Sequence, residues 1–521
     1  MHATTVCEDV MKQSSTHVIL GLLCVCMAWI AGGTLPAAVA QDAGGQPAAG
    51  RYAGRYAGLA DRLRALITAN GVPLADAGVK IVSVTAGQTL LDNCGDKLFI
   101  PASNQKLVTT AAALHLLGPE FKFETPLYAR GRLYDGGVFG GDLIVGGCGD
   151  PDISGRTHGG DPCFLFRMWA KSLKDFGIKE IRGNVIGDAS AFDTVAIHPS
   201  WPANQVDRWY CAPTSALMLN DNCLDVTVSA GAGSGMPVRL TESPEAAYID
   251  IGNHCMTTNV KAEHAYGFLG RAGSEGLIVR GKFWIGAAPA TSWIPVEDPP
   301  AFFLTLMRET LIREGIPVIG KPVVATEPVA VGNDEKLVGT YVSSLDKAVL
   351  VANKNSQNLY AEQILKVLGW KLLKKGSFEN GAAKVKEFLS AISPAGSACV
   401  IDDGSGLSRK NQLSANALAD LLVWVVRQPE AKIFIDSLSV SGVDGTMDDR
   451  LREPPYRGRV KAKTGTVAGA SSLSGYIEVP GDVFAFSMLM NSPKAGVWRM
   501  KQAQDAICKE IIDFHSAAAG R

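Results

Sequence analysis

Three short patterns of polar residues could do chemistry together. Ser103 and Lys106 stand three positions apart in Pro101-Ala102-Ser103-Asn104-Gln105-Lys106. On a helix that spacing puts the hydroxyl and the amine on one face, within reach of one another. A serine hydroxyl is a weak nucleophile until a neighbouring base takes its proton, and Lys106 is such a base only when neutral. Bringing a lysine pKa from about 10.4 to about 7 requires roughly 4–5 kcal/mol of differential interaction. Burial and a second cation supply such shifts, and Lys463 is the candidate cation.

The second pattern, Ser356-Gln357-Asn358, falls between two helical stretches, 346–353 and 359–368, where a turn can aim a hydroxyl and an amide into a cleft. The third, Lys463-Thr464-Gly465, reads as strand, with Lys463 and Gly465 on one face and Thr464 on the other. A cationic head beside a residue without a side chain suits a peptide that adds along the strand edge and ends in a carboxylate. None of these tripeptides is specific alone. Ser344-x-x-Lys347 repeats the first pattern and Ser414-Ala415-Asn416 the second, but each serine precedes an apolar periodic run, where a helix N-cap is expected. Residues 315–321 imitate a phosphate-binding loop, except that Pro322 replaces the required Ser or Thr.

Elements on either side of a long interval must position these groups. A helix is expected over 59–70, a hairpin over 79–91, and an apolar helix over 107–117 that Gly118-Pro119 terminates. From 121 to 330 the texture is short β-like runs and many glycines, with only two helices, 164–176 and 302–314. Helical texture returns over 344–426. The end reads as strands 459–466, 472–479 and 483–491 followed by helix 497–515, an antiparallel meander with the helix on one face. Segments 59–120 and 331–521 are therefore expected to form one discontinuous domain around an insert, 121–330, of two nested, largely β domains.

The 521 residues carry 47% hydrophobic and 19% charged positions and a formal net charge of -1, ordinary for a globular protein and without a basic field for nucleic acid. The lysines at 371, 374 and 375 read as a solvated face. No CxxC or HExxH occurs and the eight histidines are scattered, so neither a metal site nor a cofactor is expected. Residues 18–32 form an apolar run of secretory length followed by Ala38-Val39-Ala40, so 1–40 reads as a leader cleaved before Gln41. Translation from Met11 would put Lys12 ahead of that run. Residues 41–58 read as a flexible tether. Eight cysteines remain after the leader, an even number that suits an oxidising compartment, and Cys211 with Cys223 is the pair chosen for a disulfide.

The trio in this order resembles the penicillin-binding proteins and serine β-lactamases. The surroundings narrow it: residues 355–362 (Asn-Ser-Gln-Asn-Leu-Tyr-Ala-Glu), 403–409 (Asp-Gly-Ser-Gly-Leu-Ser-Arg), Gly445-Thr446-Met447, 461–465 and 145–151 resemble the low-molecular-mass class C carboxypeptidases, the S13 peptidases. The resemblance implies an α/β (α+β) transpeptidase domain of the penicillin-binding-protein and serine β-lactamase type, an antiparallel sheet flanked by helices, with largely β inserted domains. It implies an exported serine-type D-Ala-D-Ala carboxypeptidase or DD-endopeptidase of the periplasm or cell envelope, acting on peptidoglycan peptides that end in D-Ala-D-Ala and acylated by β-lactams. Ser103 would be the nucleophile, Lys106 the general base, and Ser356 the relay to the leaving D-alanine. Asn358 would hold the substrate amide, and Lys463 with Thr464 the terminal carboxylate, beside Gly465. The N–H groups of Ser103 and Thr466 would form the oxyanion hole. Segment 201–207 resembles the family's reader of the diaminopimelate side chain, with Gln205 at the aligned position and Asp207 two residues on. Two other classes compete. A serine β-lactamase or esterase would need a separate Glu-bearing loop for deacylation, which the sequence lacks. A non-catalytic wall-binding protein is disfavoured because every polar group the reaction needs is present.

Overall fold

The computed structural model describes residue 56 and residues 58–519, apart from 246–247, 274–275 and 333–334. The leader lies outside the described residues, as does the tether except for Tyr56 and Gly58. Tyr56 itself is packed: its ring meets Phe484, Phe514 and His515, and its hydroxyl shares a hydrogen bond with His515 Nε2. At this residue the tether reading gives way to core.

Helix α1 (Leu59–Ala69) buries Leu59, Leu63 and Ile67, one stripe at the helical repeat. Strands β1 (Ala77–Ser83) and β2 (Gln88–Asn93) form the expected hairpin. Helix α2 (Gln105–Leu117) is buried on all sides from Gln105 to Leu114, which is why its sequence shows apolar length without amphipathic rhythm.

The insert begins with β3 (Lys122–Leu133) and β4 (Val138–Gly146), then α3 (Phe164–Asp175), β5 (Val185–Asp188), α4 (Pro299–Arg313), β6 (Pro322–Ala325) and β7 (Lys336–Ser344). Its main sheet has the order β6-β5-β4-β3-β7, with Glu180–Ile181 added beside β4. Strand β7 lies past residue 330, so the insert's sheet takes in part of the stretch read as catalytic. Between β5 and α4 lie two three-stranded sheets. One is built from Cys223–Ser229, Arg239–Ser243 and Ala290–Pro295, the other from Gly252–Thr258, Ala265–Leu269 and Ile278–Trp284.

After the insert come α5 (Leu345–Lys354), α6 (Asn358–Leu373), α7 (Phe378–Ile392) and α8 (Ala415–Val425). The chain ends with β8 (Ser439–Val440), β9 (Val460–Val467), β10 (Ala470–Val479), β11 (Asp482–Met490) and α9 (Val497–Ala519). One antiparallel sheet in the order β8-β9-β10-β11-β1-β2 joins the two ends of the chain. Residues of α1 and α9 pack on one of its faces, and α2, α6 and α8 share a core with Tyr476, Ala485 and Leu489 on the other. Strand β10 is buried at every position but Glu478, as a strand covered on both faces should be.

The two decoy serines both stand at helix starts. Ser414 caps α8, accepting the Ala417 N–H at 3.1 Å. Ser344 occupies the equivalent place before α5 but makes no capping bond. The expected disulfide is not formed: Cys211 and Cys223 are free thiols, as are the other six described cysteines.

Helix α6 docks on the insert through polar groups. Gln363 donates to Ser215 O at 2.7 Å and accepts from Ser215 N at 3.2 Å. Lys366, fully buried, donates to Asp193 Oδ1 at 2.8 Å and to Val195 O at 2.7 Å, with the Phe378 ring 4.3 Å from its ammonium. Burial pulls its pKa down and Asp193 pulls it back up. Removing one member of a buried pair leaves the other charge uncompensated. Asp193→Ala should therefore cost about 3 kcal/mol in urea unfolding, and Lys366→Met added to it should recover much of the loss. A single variant within about 0.5 kcal/mol of the parent would show that this pair does not hold the insert to α6.

Candidate active site

Ser103 lies in a single 3-10 turn, Ala102–Asn104, that runs into α2. Ala102 before it has φ 47°, a left-handed conformation that persists for an alanine only where the surroundings over-determine it. The constraints come from both sides. Ser472 on β10 donates its hydroxyl to Pro101 O at 2.6 Å, and Asn104 donates its amide to Lys463 O at 2.8 Å. Gly406 comes so close that a Cβ there would stand 1.8 Å from Ala102 O. Gly465 on β9 is required for a like reason, since its Cβ would meet Ser472 Oγ at 2.1 Å, Pro101 O at 2.9 Å and Ser103 N at 3.0 Å. The turn that carries Ser103 is thus clamped between a strand and a loop.

Lys106 is fully buried in the first turn of α2. Its Nζ donates to Ser103 Oγ at 3.0 Å, Asn358 Oδ1 at 2.7 Å and Ser405 O at 2.8 Å. Two of these acceptors are carbonyl oxygens that cannot donate in return. A neutral amine has two N–H bonds, and giving both to the carbonyls turns its lone pair toward Ser103 Oγ. Burial lowers the Lys106 pKa to about 7, against the charges of Glu362 and Asp403, which raise it. The sequence reading names burial and the cation Lys463 together as the causes; in the structure burial leads. The repulsion between the two heads shows on Lys463, which lies well below the ordinary lysine range through burial first and Lys106 second. Among the described residues, Lys463 Nζ donates only to Thr464 O, at 2.8 Å.

Ser356 and Asn358 sit on the turn between α5 and α6, with Ser356 left-handed at φ 57°. Asn358 accepts from Lys106 and donates its Nδ2 to Tyr210 O at 2.9 Å, so the amide that the resemblance assigns to substrate is bonded at both ends. Ser356 is partly buried, and no hydrogen bond joins it to Ser103 or Lys106 among the described residues. Gln357 between them donates to Asp221 Oδ2 at 2.9 Å. Asp221 belongs to a buried run, residues 220–222, whose φ values are 51°, 57° and 50°. The insert thereby holds the turn of Gln357 and Asn358 at two points.

Thr464 donates its hydroxyl to Thr446 Oγ1 at 2.7 Å, and Thr466 is exposed on β9 opposite Ser471. Strand β8 pairs only with Lys461 and Ala462, which leaves the β9 edge from Lys463 onward open among the described strands. Asp207 is exposed, its carboxylate 3.5 Å from Arg271 Nε. The segment that carries it reaches the site at both ends: Trp201 Nε1 donates to Asp403 Oδ2 at 2.9 Å, and Tyr210 O takes the Asn358 amide.

Five residues here went unassigned in the sequence: Tyr210, Asp221, Glu362, Asp403 and Ser405. Glu362 carried a usable signal, standing four positions after Asn358 on one helix face. The run Asp403-Gly404-Ser405-Gly406 carried another, a turn with two glycines around a serine. Tyr210 and Asp221 meet the site only through the insert's fold.

A family description, D-Ala-D-Ala carboxypeptidase 3 (S13), matches residues 59–510. The chain belongs to this S13 family. It is 29% identical over 497 residues to the D-alanyl-D-alanine carboxypeptidase of Actinomadura sp. (strain R39), covering 92% of this chain and 89% of that one. To D-alanyl-D-alanine carboxypeptidase DacB of Haemophilus influenzae it is 25% identical over 427 residues, 81% of this chain and 86% of that one. The crystal structure of penicillin binding protein 4 (dacB) from H. influenzae superposes with a TM-score of 0.73 at 25% identity, covering 86% of this chain and 99% of that one. A second structure of that protein, complexed with a novel β-lactam, gives a TM-score of 0.69 at 24% identity, covering 87% and 99% of the two chains. The mixed fold, the antiparallel sheet and the helices around it are those of the S13 family.

The neutral fraction of Lys106 grows as pH rises through about 7. The rate at which a chromogenic β-lactam acylates the protein should rise through a limb near that pH, measured by stopped flow between about pH 5 and 9. A flat profile would remove Lys106 as the proton acceptor.

Proposed function

We propose that this S13 peptidase cleaves the terminal D-Ala-D-Ala bond of peptidoglycan stem peptides through an acyl-enzyme on Ser103. The observation that supports it most is the single Nζ of Lys106, 3.0 Å from Ser103 Oγ and held by two carbonyl oxygens. Ser103 Oγ attacks the carbonyl of the penultimate D-alanine as its proton passes to Lys106. The N–H groups of Ser103 and Thr466 take the developing oxyanion, at about 3 kcal/mol or more per donor in comparable sites. Collapse breaks the C–N bond, and the proton returns to the departing D-alanine amine by way of Ser356. Water then hydrolyses the ester, which restores Ser103 and releases the shortened peptide.

Lys463 and Thr464 bind the terminal carboxylate along the open edge of β9, and Asn358 meets the substrate amide by exchanging one of its two present bonds. β-Lactams acylate the same serine. The protein works outside the cytoplasm, in the periplasm or cell envelope. Among the described residues no helix is long and apolar enough to cross a membrane.

Labelled penicillin followed by peptide mapping should place the adduct on Ser103, and Ser103→Ala should lose both labelling and the loss of D-alanine from purified muropeptides. Rapid turnover of the label would indicate a lactamase, and an adduct on Ser344 would overturn the assignment. Masses of the digested muropeptides separate terminal trimming from cross-link cleavage.

Asp207 offers its carboxylate to a free amine on the residue before D-Ala-D-Ala, in competition with Arg271. Asp207→Asn should slow the enzyme on peptides that carry that amine and spare those in which it is acylated. Equal rates on both would leave side-chain reading to another residue.

A further inference from the structure

We propose that Glu362 is a positioning residue of the acylation step, its buried carboxylate fixing the loop whose Ser405 carbonyl aims the Lys106 amine at Ser103. The inference rests on the acyl-enzyme reading above and extends it to a residue that touches neither substrate nor nucleophile.

Glu362 is fully buried on α6, one turn after Asn358 and so on the same face. Its Oε1 accepts the Ser405 N–H at 2.8 Å and its Oε2 the Gly404 N–H at 2.9 Å. The carbonyls of the same two residues point at α2: Gly404 O accepts from Thr109 Oγ1 at 2.8 Å, and Ser405 O from Lys106 Nζ at 2.8 Å. One carboxylate thus holds two adjacent peptide units whose other sides hold the base. The fit is tight, because a Cβ on Gly404 would stand 3.1 Å from Glu362 Oε2 and 2.7 Å from Ala361 O.

Geometry alone would let an amide do this work; charge makes Glu362 specific. An amide in its place would turn an NH2 group toward one of the two N–H donors and lose that bond. It would also remove a negative charge that raises the Lys106 pKa. Glu362 faces Asp403 from the loop, Lys106 from α2 and Lys366 one turn further along α6, while Lys463 faces Lys106 from β9. Burial and Asp403 push the Glu362 carboxyl up, while the Gly404 and Ser405 N–H groups it accepts pull it back toward the ionised form. The charge of Glu362 therefore enters the pH dependence of the base.

The sign follows. Lys106 works neutral, so acylation is lost as pH falls through its pKa. Taking away a nearby negative charge lowers that pKa and carries the limb to lower pH.

The experiment measures penicillin acylation rates across pH for the full chain, for Glu362→Gln and for Glu362→Asp, beside thermal unfolding of each. Glu362→Gln should lower the high-pH plateau about tenfold or more and move the acidic limb down. Glu362→Asp keeps the charge on a shorter stem, so its plateau should fall while its limb stays. Should Glu362→Gln not fold, the Asp variant decides, and a wild-type plateau there would overturn the proposal. A folded Glu362→Gln with the wild-type limb would also overturn it, reducing the residue to structural support. The two readings fail separately: without a Ser103 adduct in the parent chain the acyl-enzyme itself is wrong, whereas an adduct with no effect at Glu362 sinks this inference alone.

Discussion

To serve as the proposed base, Lys106 has to be dry enough to give up its proton near neutral pH and bonded well enough to stay in place once it has. These demands conflict, because the acceptors that hold an amine also favour its charged form. The fold meets both by surrounding the lysine with backbone. Helices α2 and α6 are each buried over most of their length, and they bring Lys106 and Asn358 together in a region from which solvent is excluded. The groups that touch Nζ are a hydroxyl and two carbonyls, while the carboxylates of Glu362 and Asp403 act on it through space. Dry surroundings set the pKa, and neutral acceptors set the direction of the lone pair.

From that constraint follows the role of the loop at 403–408. Asp403 accepts from Gly406 N at 2.7 Å, Ser408 N at 2.6 Å and Asn411 Nδ2 at 2.7 Å, so one buried carboxylate closes the loop on itself. Its Oδ2, the oxygen that accepts from Ser408 N, also takes the Trp201 indole from the insert, at 2.9 Å. The same loop presses Gly406 against Ala102, the strained residue before Ser103. A single turn of chain therefore fixes the base and the backbone beside the serine, and ties both to a region more than 190 positions away in sequence. The insert adds its own constraints at Gln357 and Asn358, which gives so large an addition a mechanical role in the site.

Much of this was legible in the sequence where the signal is local. The hairpin at β1 and β2, the final meander and the two helices of the insert all follow from periodicity and turn residues, and the three motifs fall on the helices, turn and strand that their spacing suggests. The illegible part is what needs a partner in space. Nothing about Tyr56 in a glycine-rich run says that His515 waits for it. Strand β7 borders helical sequence and is a strand because β3 offers it an edge. Cys211 and Cys223 are near neighbours in sequence, yet the fold buries them as separate thiols. Of the two causes read from the sequence for the Lys106 shift, burial leads in the structure. A motif names a cation, whereas burial depends on every element that covers the residue.

The charges of the site complete the argument. Lys106 and Lys463 cannot both stay protonated at close quarters in a dry environment without anions, and the anions present, Glu362 and Asp403, act on Lys106. Among the described residues, Lys463 is left with one carbonyl oxygen as acceptor. In the proposed reaction, a peptide that ends in a carboxylate brings the missing counter-charge to the β9 edge and makes the protonated form of Lys463 favourable just as substrate arrives. A second positive head nearby then disfavours protonation of Lys106, so binding of the correct terminus and activation of the base become one electrostatic event. A peptide whose terminus is amidated would bring no such charge to Lys463. On this view the preference for a free carboxyl end acts on the reactivity of the serine as well as on affinity, because the interaction that recognises the substrate also readies the base.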